Sequence, residues 1–167
     1  GSCVISADGQ VTQRAEPFAE VLLPVELAFD GERLQPLPAA CAALPGIEAS
    51  VYQALVVGVR DYVRKNGFKG VVLGLSGGID SALTLAVAVD ALGAEQVEAV
   101  MMPYHYTAQI SLEDAEEEAG ALGVKYRVLP IAPMVESFLA TLAPVFEGLG
   151  RDTTEENLSL IHISEPT

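Results

Sequence analysis

Apolar residues along the middle of the chain follow two alternating patterns, which predict a series of strands and helices. Apolar positions recur at every fourth residue from Val51 to Val63, which indicates a helix that ends at Asn66-Gly67. Beyond it, short continuous apolar runs, typical of buried parallel strands, are separated by segments of helical periodicity. Such alternation predicts right-handed βαβ units and a parallel sheet covered on both faces. The predicted strands are 71–75, 97–102 and 124–129, and the predicted helices are 82–92, 112–122 and 133–146.

The first 47 residues carry shorter patterns. Two apolar runs on either side of Asp8-Gly9 predict a β-hairpin, and residues 20–27 alternate loosely, as a half-buried strand does. Residues 31–47 are rich in proline and alanine without a clear period, which is typical of a linker. The two runs of the predicted hairpin are residues 3–5 and 11–14.

The helix predicted at 112–122 carries a dense group of carboxylates. Ser111 as its N-cap and Asp114 three residues later would form a capping box, and Gly123 would end the helix. The acidic run at 113–118 has side chains that suit a metal ion. Its spacing on a capped helix favours a solvated face instead.

Composition limits the class of protein. With 167 residues, 50% of them hydrophobic, the chain has enough apolar material for a core, which excludes wholesale disorder. A net charge of −14 disfavours sequence-independent binding to nucleic acid and adsorption to anionic membranes. The mean hydropathy is +0.35, yet the charge-free stretches 34–47 and 99–112 are too short for a membrane helix. Two cysteines, Cys3 and Cys41, form no disulfide framework or metal spacing, so we expect a reducing, cytoplasmic location.

The glycine-rich segment between the first strand of the predicted sheet and the next helix has the geometry of a phosphate-binding loop. Glycines let the backbone approach an anion, the helix N-terminus offers free N–H groups, and Ser76 and Ser81 add hydroxyl donors. The spacing is neither that of a Walker A loop nor GxGxxG. Asp80 would repel a phosphate unless a divalent cation bridged the two, so it is a candidate Mg²⁺ ligand. The segment comprises Gly74, Leu75, Ser76, Gly77, Gly78, Ile79, Asp80 and Ser81.

The alternative for this segment is an ordinary strand-to-helix turn with Asp80 or Ser81 as the N-cap. Glycine pairs are common in such turns. The position of the loop favours binding, because parallel sheets bind their ligands at the carboxyl ends of the strands.

The SGGIDS motif resembles the pyrophosphate loop (PP-loop) of the ATP pyrophosphatase superfamily. Its surroundings narrow the resemblance to glutamine-dependent NAD synthetase, over residues 47–158. Residues 1–27 resemble the end of the nitrilase-type amidase domain that precedes the synthetase domain in that family. The segments that carry the resemblance to the synthetase domain are VVLGLSGGIDSALTLAVAVDALG, VEAVMMP, ISLEDAEEEAGALGVKYRVLPI and DTTEENL.

The resemblance implies an α/β fold, with an incomplete Rossmann-like parallel sheet of the adenine nucleotide α-hydrolase type. Terminal β-strands of an amidase domain would precede that sheet. The implied organisation is an amidase end at 1–30, a linker at 31–47, the first part of the ATP-binding domain at 48–158 and a tail at 159–167.

The resemblance also implies a ligase. ATP with Mg²⁺ would adenylate deamido-NAD and release pyrophosphate, and ammonia from glutamine would then displace AMP to give NAD. The partners would be these small molecules and not nucleic acid or membranes, and the complete enzyme would be a homo-oligomer. The glycine-rich segment and Thr107 would bind ATP, Asp80 would bind Mg²⁺, and Asn157 would contact deamido-NAD.

The loop after Met102-Pro103 departs from the family pattern, which is a serine-bearing loop that ends in Tyr-Thr-Ser. Here it reads Tyr104-His105-Tyr106-Thr107-Ala108, so the assignment of Thr107 to ATP rests on a partial match. We expect His105 to be a solvated loop residue and not a catalytic base. Cys3 lies in a closing strand and is not the amidase nucleophile, and Cys41 is a small apolar residue.

The two ends of the chain are unusual. It begins Gly1-Ser2-Cys3 with no initiator methionine, and residues 159–167 (SLIHISEPT) resemble the peptide that translated sequencing-adapter DNA produces. We therefore expect a partial, inactive piece of the enzyme with a non-native tail, and assign no role to His162. The amidase catalytic residues would lie upstream of residue 1.

Two alternative functions remain. The chain could belong to another PP-loop ATP pyrophosphatase, or it could be an ATP-binding module without catalysis. A tRNA-thiolating enzyme is disfavoured by the net charge of −14, and a GMP synthetase by the MMP and TTEEN segments. Synthetase motifs in a continuing reading frame would support the enzyme over the module.

Overall fold

The computed structural model describes residues 1–144. The chain divides into two compact units, Gly1–Phe68 and a second unit that begins at Lys69. Asn157, His162 and the tail at 159–167 lie outside the described residues. Within residues 1–144, no helix is both long enough and apolar enough to cross a membrane.

The first unit begins with the predicted hairpin. Strands β1 (Cys3–Ile5) and β2 (Val11–Arg14) pair antiparallel, and the turn between them contains Gly9 with a φ of 84°. Residues 39–42 run alongside β2, where the amide of Ala39 donates to the carbonyl of Thr12 over 2.9 Å. The prediction of a hairpin at this position is confirmed.

A second hairpin follows, which the sequence did not predict. It pairs β3 (Leu27–Phe29) with β4 (Leu34–Pro36), so the strand predicted at 20–27 is wrong except for its last residue. Residues 31–47, predicted as a linker, contain β4. The turn forms because the carboxylate of Asp30 accepts hydrogen bonds from the amides of Glu32 and Arg33. The bond from the amide of Arg33, and after it the bond from Glu32, hold the pKa of Asp30 below its ordinary value.

Helix α1 (Ile47–Lys65) ends at Asn66 and Gly67, as predicted. Its buried side chains are Val56 and Val63, whereas Val51 and Leu55 of the predicted apolar stripe are exposed. The predicted face is therefore wrong for its first half. The apolar face of this helix spans more than half of its circumference, and burial falls on only one edge of that face.

The second unit has the predicted α/β architecture. Its parallel sheet has the strand order β5-β6-β7, and helices connect successive strands, so the predicted Rossmann-like fold class is confirmed. The elements are β5 (Val71–Gly74), α2 (Ile79–Leu92), β6 (Val97–Met101), α3 (Gln109–Leu122), β7 (Lys125–Val128) and α4 (Ala132–Leu142), with a 3₁₀ turn at Ala94–Gln96.

The core of this unit lies between the sheet and the helices α2 and α3. Leu85 of α2, Ala99 of β6 and Ala115 of α3 are fully buried, and the alanines let helix and strand approach closely. Helix α2 begins at Ile79, before the predicted start at residue 82, and Ile79 is 81% exposed. The sheet was predicted to be covered on both faces, yet Val72 is 70% exposed.

Helix α3 begins earlier than predicted, and its capping box is absent. Ala108 is the N-cap, and no side chain caps the helix. The Ser111 amide donates to the carbonyl of Ala108, so Ser111 already lies inside the first turn. Gly123, with a φ of 68°, ends the helix as predicted. Most of the acidic run at 113–118 is exposed, which confirms a solvated face. Burial raises the pKa of its half-buried member, Glu118.

Glu98 on β6 pairs with two cationic side chains of the neighbouring strand β7. Lys125, its neighbour on β7, places Nζ 3.2 Å from one carboxylate oxygen, and the guanidinium of Arg127 contacts the other oxygen. The hydrogen bond from Lys125, followed by the positive charge of Arg127, holds the pKa of Glu98 below its ordinary value of 4.5.

Because the pKa of Glu98 is lower in the folded state, its contribution to stability is present above pH 4.5 and is lost as pH falls through the lowered pKa. We expect Glu98→Gln to lower the unfolding midpoint at neutral pH, and the difference from wild type to shrink below pH 4.5. The measurement is the midpoint of thermal unfolding, followed by circular dichroism, of both proteins from neutral pH to below pH 4.5. Glu117→Gln, which removes an exposed carboxylate of α3, is the control. Equal, pH-independent losses in both variants would contradict the assignment.

Candidate functional site

A cavity of about 860 Å³ lies at the carboxyl end of β5, beside the start of α2. This is the edge of a parallel sheet at which ligands bind, and the volume falls within the range of small-molecule sites. Of the residues predicted to bind ATP, six line it and three, Gly77, Gly78 and Ile79, complete the loop without lining it. The lining residues are Leu73, Gly74, Leu75, Ser76, Asp80, Ser81, Thr84, Met101, Met102 and Thr107.

Gly77 adopts a conformation that only glycine accepts easily. Its φ is +76°, and a Cβ at this position would lie 2.7 Å from the Cα of Ser111 and closer still to the carbonyl oxygen of Ser111. The loop therefore packs its backbone directly against the first turn of α3. Both the positive φ and the close approach require glycine at this position.

The hydroxyl groups of Ser76 and Ser81 organise the loop. Ser81 Oγ accepts a hydrogen bond from the amide of Ser76 over 3.2 Å and donates to the carbonyl of Gly78 over 2.9 Å. Ser76 Oγ accepts from the amide of Gly78 over 3.3 Å and lies 3.0 Å from Ser81 Oγ. The two serines thus tie both ends of the loop together.

The start of α2 differs from the alternative interpretation of an ordinary capped turn. Gly78 is the N-cap, and no side chain caps the helix, so neither Asp80 nor Ser81 has the role of an N-cap. The N-terminus of α2, with the positive end of its dipole, lies beside the cavity that Asp80 and Ser81 line. This arrangement suits an anionic group.

Asp80 is an exposed carboxylate in the first turn of α2 that lines the cavity. Its backbone carbonyl accepts a hydrogen bond from Thr84 Oγ1 over 2.8 Å. Among residues 1–144, no group of three or more His, Cys, Asp or Glu side chains could hold a metal ion. A single carboxylate nevertheless fits Mg²⁺, which commonly binds through one or two carboxylates together with substrate phosphates and water.

Thr107 reaches the cavity from the loop between β6 and α3. Its Oγ1 accepts a hydrogen bond from the amide of Tyr104 over 2.9 Å, and its own amide donates to the carbonyl of Tyr104 over 2.9 Å. Because Oγ1 already accepts one bond, its hydroxyl proton can serve as a donor to a ligand.

Four of the lining residues were not predicted from the sequence: Leu73, Thr84, Met101 and Met102. Three of them, Leu73, Met101 and Met102, form an apolar wall of the cavity. The available signal was the order of strands, because Met101 ends the strand that pairs with β5 and so reaches the same edge of the sheet. Methionine, which is flexible and polarisable, is suited to contact flat ring systems.

Proteins of known function resemble this chain over nearly its whole length. Residues 51–160 match the family model described as NAD synthase. The glutamine-dependent NAD(+) synthetase of Acinetobacter baylyi is 52% identical over 157 residues, which cover 94% of this chain and 29% of that protein. The Thermotoga maritima enzyme of the same name is 38% identical, and the matched residues cover 95% of this chain and 33% of that protein. The chain therefore spans about a third or less of the length of these curated relatives.

NAD synthetases of known structure share the fold of this chain. The glutamine-dependent NAD⁺ synthetase of Acinetobacter baumannii, solved in complex with ADP, has a TM-score of 0.83 and 50% identity over 90% of this chain and 28% of its own. The NH₃-dependent NAD synthetase of Campylobacter jejuni has a TM-score of 0.57 and 28% identity over 70% of this chain and 47% of its own.

Proposed function

Since the chain belongs to the NAD synthase family, we propose that it forms the ATP-binding part of a glutamine-dependent NAD(+) synthetase. Such a ligase adenylates deamido-NAD, releases pyrophosphate, and then replaces AMP with ammonia drawn from glutamine. The glycine loop that lines a cavity at the carboxyl end of β5 carries the proposal. The similar Acinetobacter baumannii enzyme was solved with ADP, which supports a nucleotide as the ligand of this cavity.

In this proposal the loop binds the phosphates of ATP through its backbone. With a net charge of −14, the protein cannot attract ATP by its overall field. Local donors must therefore do so, namely the N-terminus of α2, the backbone around Gly77 and Gly78, and the hydroxyl of Thr107. Donors held in place before binding stabilise the negative charge that develops on the α-phosphate during adenylation.

Asp80 would hold Mg²⁺ together with the phosphates. When bound, this ion neutralises phosphate charge and orients the leaving pyrophosphate. The carboxylate of Asp80 would otherwise repel the nucleotide it faces, so the ion explains why an acid belongs in a phosphate-binding loop. The apolar wall of Leu73, Met101 and Met102 suits the base of the nucleotide.

The remaining assignments are part of the same proposal. Residues 1–30 would end an amidase domain, 31–47 would connect it to the ATP-binding part at 48–158, and 159–167 would be non-native. Asn157 would contact deamido-NAD. The complete enzyme would be cytoplasmic and homo-oligomeric, with small molecules and not nucleic acid or membranes as partners. The match to the NAD synthase model speaks against a GMP synthetase.

The 167-residue chain provides a direct test. We expect it to bind ADP, or ATP with Mg²⁺, weakly, and to form no NAD from ATP, deamido-NAD and ammonia, because it spans only about 29% of its relatives. Isothermal titration calorimetry measures the first property and chromatographic detection of NAD the second. Absence of nucleotide binding would contradict the assignment of the cavity. Measurable NAD formation would contradict the assignment of an incomplete site.

A further inference from the structure

The loop that carries Thr107 is tied to helix α4. The carbonyl of Pro103 accepts a hydrogen bond from the amide of Ile131, the N-cap residue of α4, over 3.1 Å. At the tip of the loop, His105 Nε2 lies 3.1 Å from Glu136 Oε1 on α4. The loop thus has two attachments to the same helix, one through the backbone and one through side chains.

The side chains of the loop pack on one another. The ring of Tyr104 contacts the ring of His105, with a centroid distance of 4.7 Å, and the ring of Tyr106, with a centroid distance of 4.9 Å. The backbone of Tyr104 exchanges two hydrogen bonds with Thr107. A continuous chain of contacts therefore runs from Glu136 through His105 and Tyr104 to Thr107, which lines the cavity.

We propose that the pair His105–Glu136 is a clasp that positions Thr107 for nucleotide binding, so that His105 is a positioning residue. The inference rests on the proposed function of the cavity. Both side chains are exposed, and either the protonated ring or its neutral Nε2–H tautomer donates to Glu136. The clasp therefore does not depend on the charge of His105. Without it, the loop would sample other conformations and Thr107 would spend less time at the cavity.

The exposure of the His105–Glu136 pair limits how much its loss can change the affinity for ADP. Exposed ion pairs and hydrogen bonds are weak, so we expect His105→Ala to raise the dissociation constant for ADP by about two- to fivefold. Glu136→Ala, which removes the partner of His105, should weaken binding in the same direction. His105→Lys, which can still pair with Glu136, should restore most of the affinity.

The decisive measurement is a double-mutant cycle between His105 and Thr107, read by calorimetric titration of the 167-residue chain with ADP. If His105 acts through Thr107, His105→Ala has no further effect in a Thr107→Val background. A merely structural role would weaken binding equally in both backgrounds. Lys65→Ala removes another exposed ion pair, Lys65–Asp61, from the first unit and should leave affinity unchanged.

The outcomes separate this inference from the function on which it rests. Failure of the unsubstituted chain to bind ADP would overturn the proposed nucleotide site and the clasp together. Binding by the unsubstituted chain and equal binding by His105→Ala would overturn the clasp alone. A loss of the same size with and without the hydroxyl of Thr107 would overturn it as well.

Discussion

Gly77→Ala is expected to abolish nucleotide binding at the glycine loop. A residue other than glycine at a φ of +76° costs about 1–2 kcal/mol. The added methyl group would also lie 2.9 Å from the carbonyl carbon of Ser111, too close for any real contact, so the loop or the first turn of α3 must move. That movement displaces the backbone donors and the serine network that Ser76 and Ser81 form.

The test compares Gly77→Ala with Gly123→Ala. Gly123 has a similar φ of +68°, but a Cβ there meets nothing within 4 Å, so its alanine variant carries the conformational cost without the clash. Both variants should unfold at a lower temperature than wild type, Gly77→Ala the lower of the two. Only Gly77→Ala should lose ADP binding in calorimetric titration. Similar affinities in the two variants would show that the close packing of the loop on α3 is dispensable.

The position of this loop could be predicted because its determinants are local. An apolar run, two adjacent glycines and the start of a helix are consecutive in the chain, and the βαβ order places their junction at the carboxyl end of a parallel strand. The strand predicted at 71–75 ends one residue earlier, at Gly74, and the motif residues Ser76, Asp80 and Ser81 line the cavity.

The contacts that shape the site are not local and could not be predicted. The need for glycine at position 77 comes from Ser111, and the orientation of Thr107 comes from the amide of Tyr104. The capping box predicted for Ser111 failed for a related reason, since the backbone at Ala108 already begins the helix that Gly77 packs against.

The hairpin of β3 and β4 shows a different limit. Each strand has three residues, too few for an alternating pattern, and the turn depends on the Asp30 carboxylate and on Gly31 with a φ of +101°. An Asp-Gly pair marks this hairpin, as it marks the one at residues 8–9, but the proline- and alanine-rich composition around it favours a linker.

Asp80→Ala is expected to abolish Mg²⁺-dependent pyrophosphate release in the complete enzyme while glutamine hydrolysis remains measurable. Asp80 lines the cavity among groups that otherwise favour phosphate, and it is the carboxylate to which we assign the ion. Loss of a metal ligand removes several kcal/mol of transition-state stabilisation, which corresponds to a decrease in rate of about 10²–10³-fold or more.

The two activities separate a specific effect from a general one. The experiment measures pyrophosphate release and glutamine hydrolysis in the full-length protein that contains this chain, at increasing Mg²⁺. Asp114→Ala, which removes an exposed carboxylate from α3, controls for the change in net charge and should retain both activities. Asp80→Asn keeps the size of the side chain but binds Mg²⁺ more weakly, so it should require more Mg²⁺ for any residual rate.

Pyrophosphate release near the wild-type rate in Asp80→Ala would show that the ion is held elsewhere. Loss of both activities together would indicate misfolding. The unfolding midpoint of Asp80→Asn separates the two causes, because it falls if the protein misfolds and stays near the wild-type value if only Mg²⁺ binding is lost.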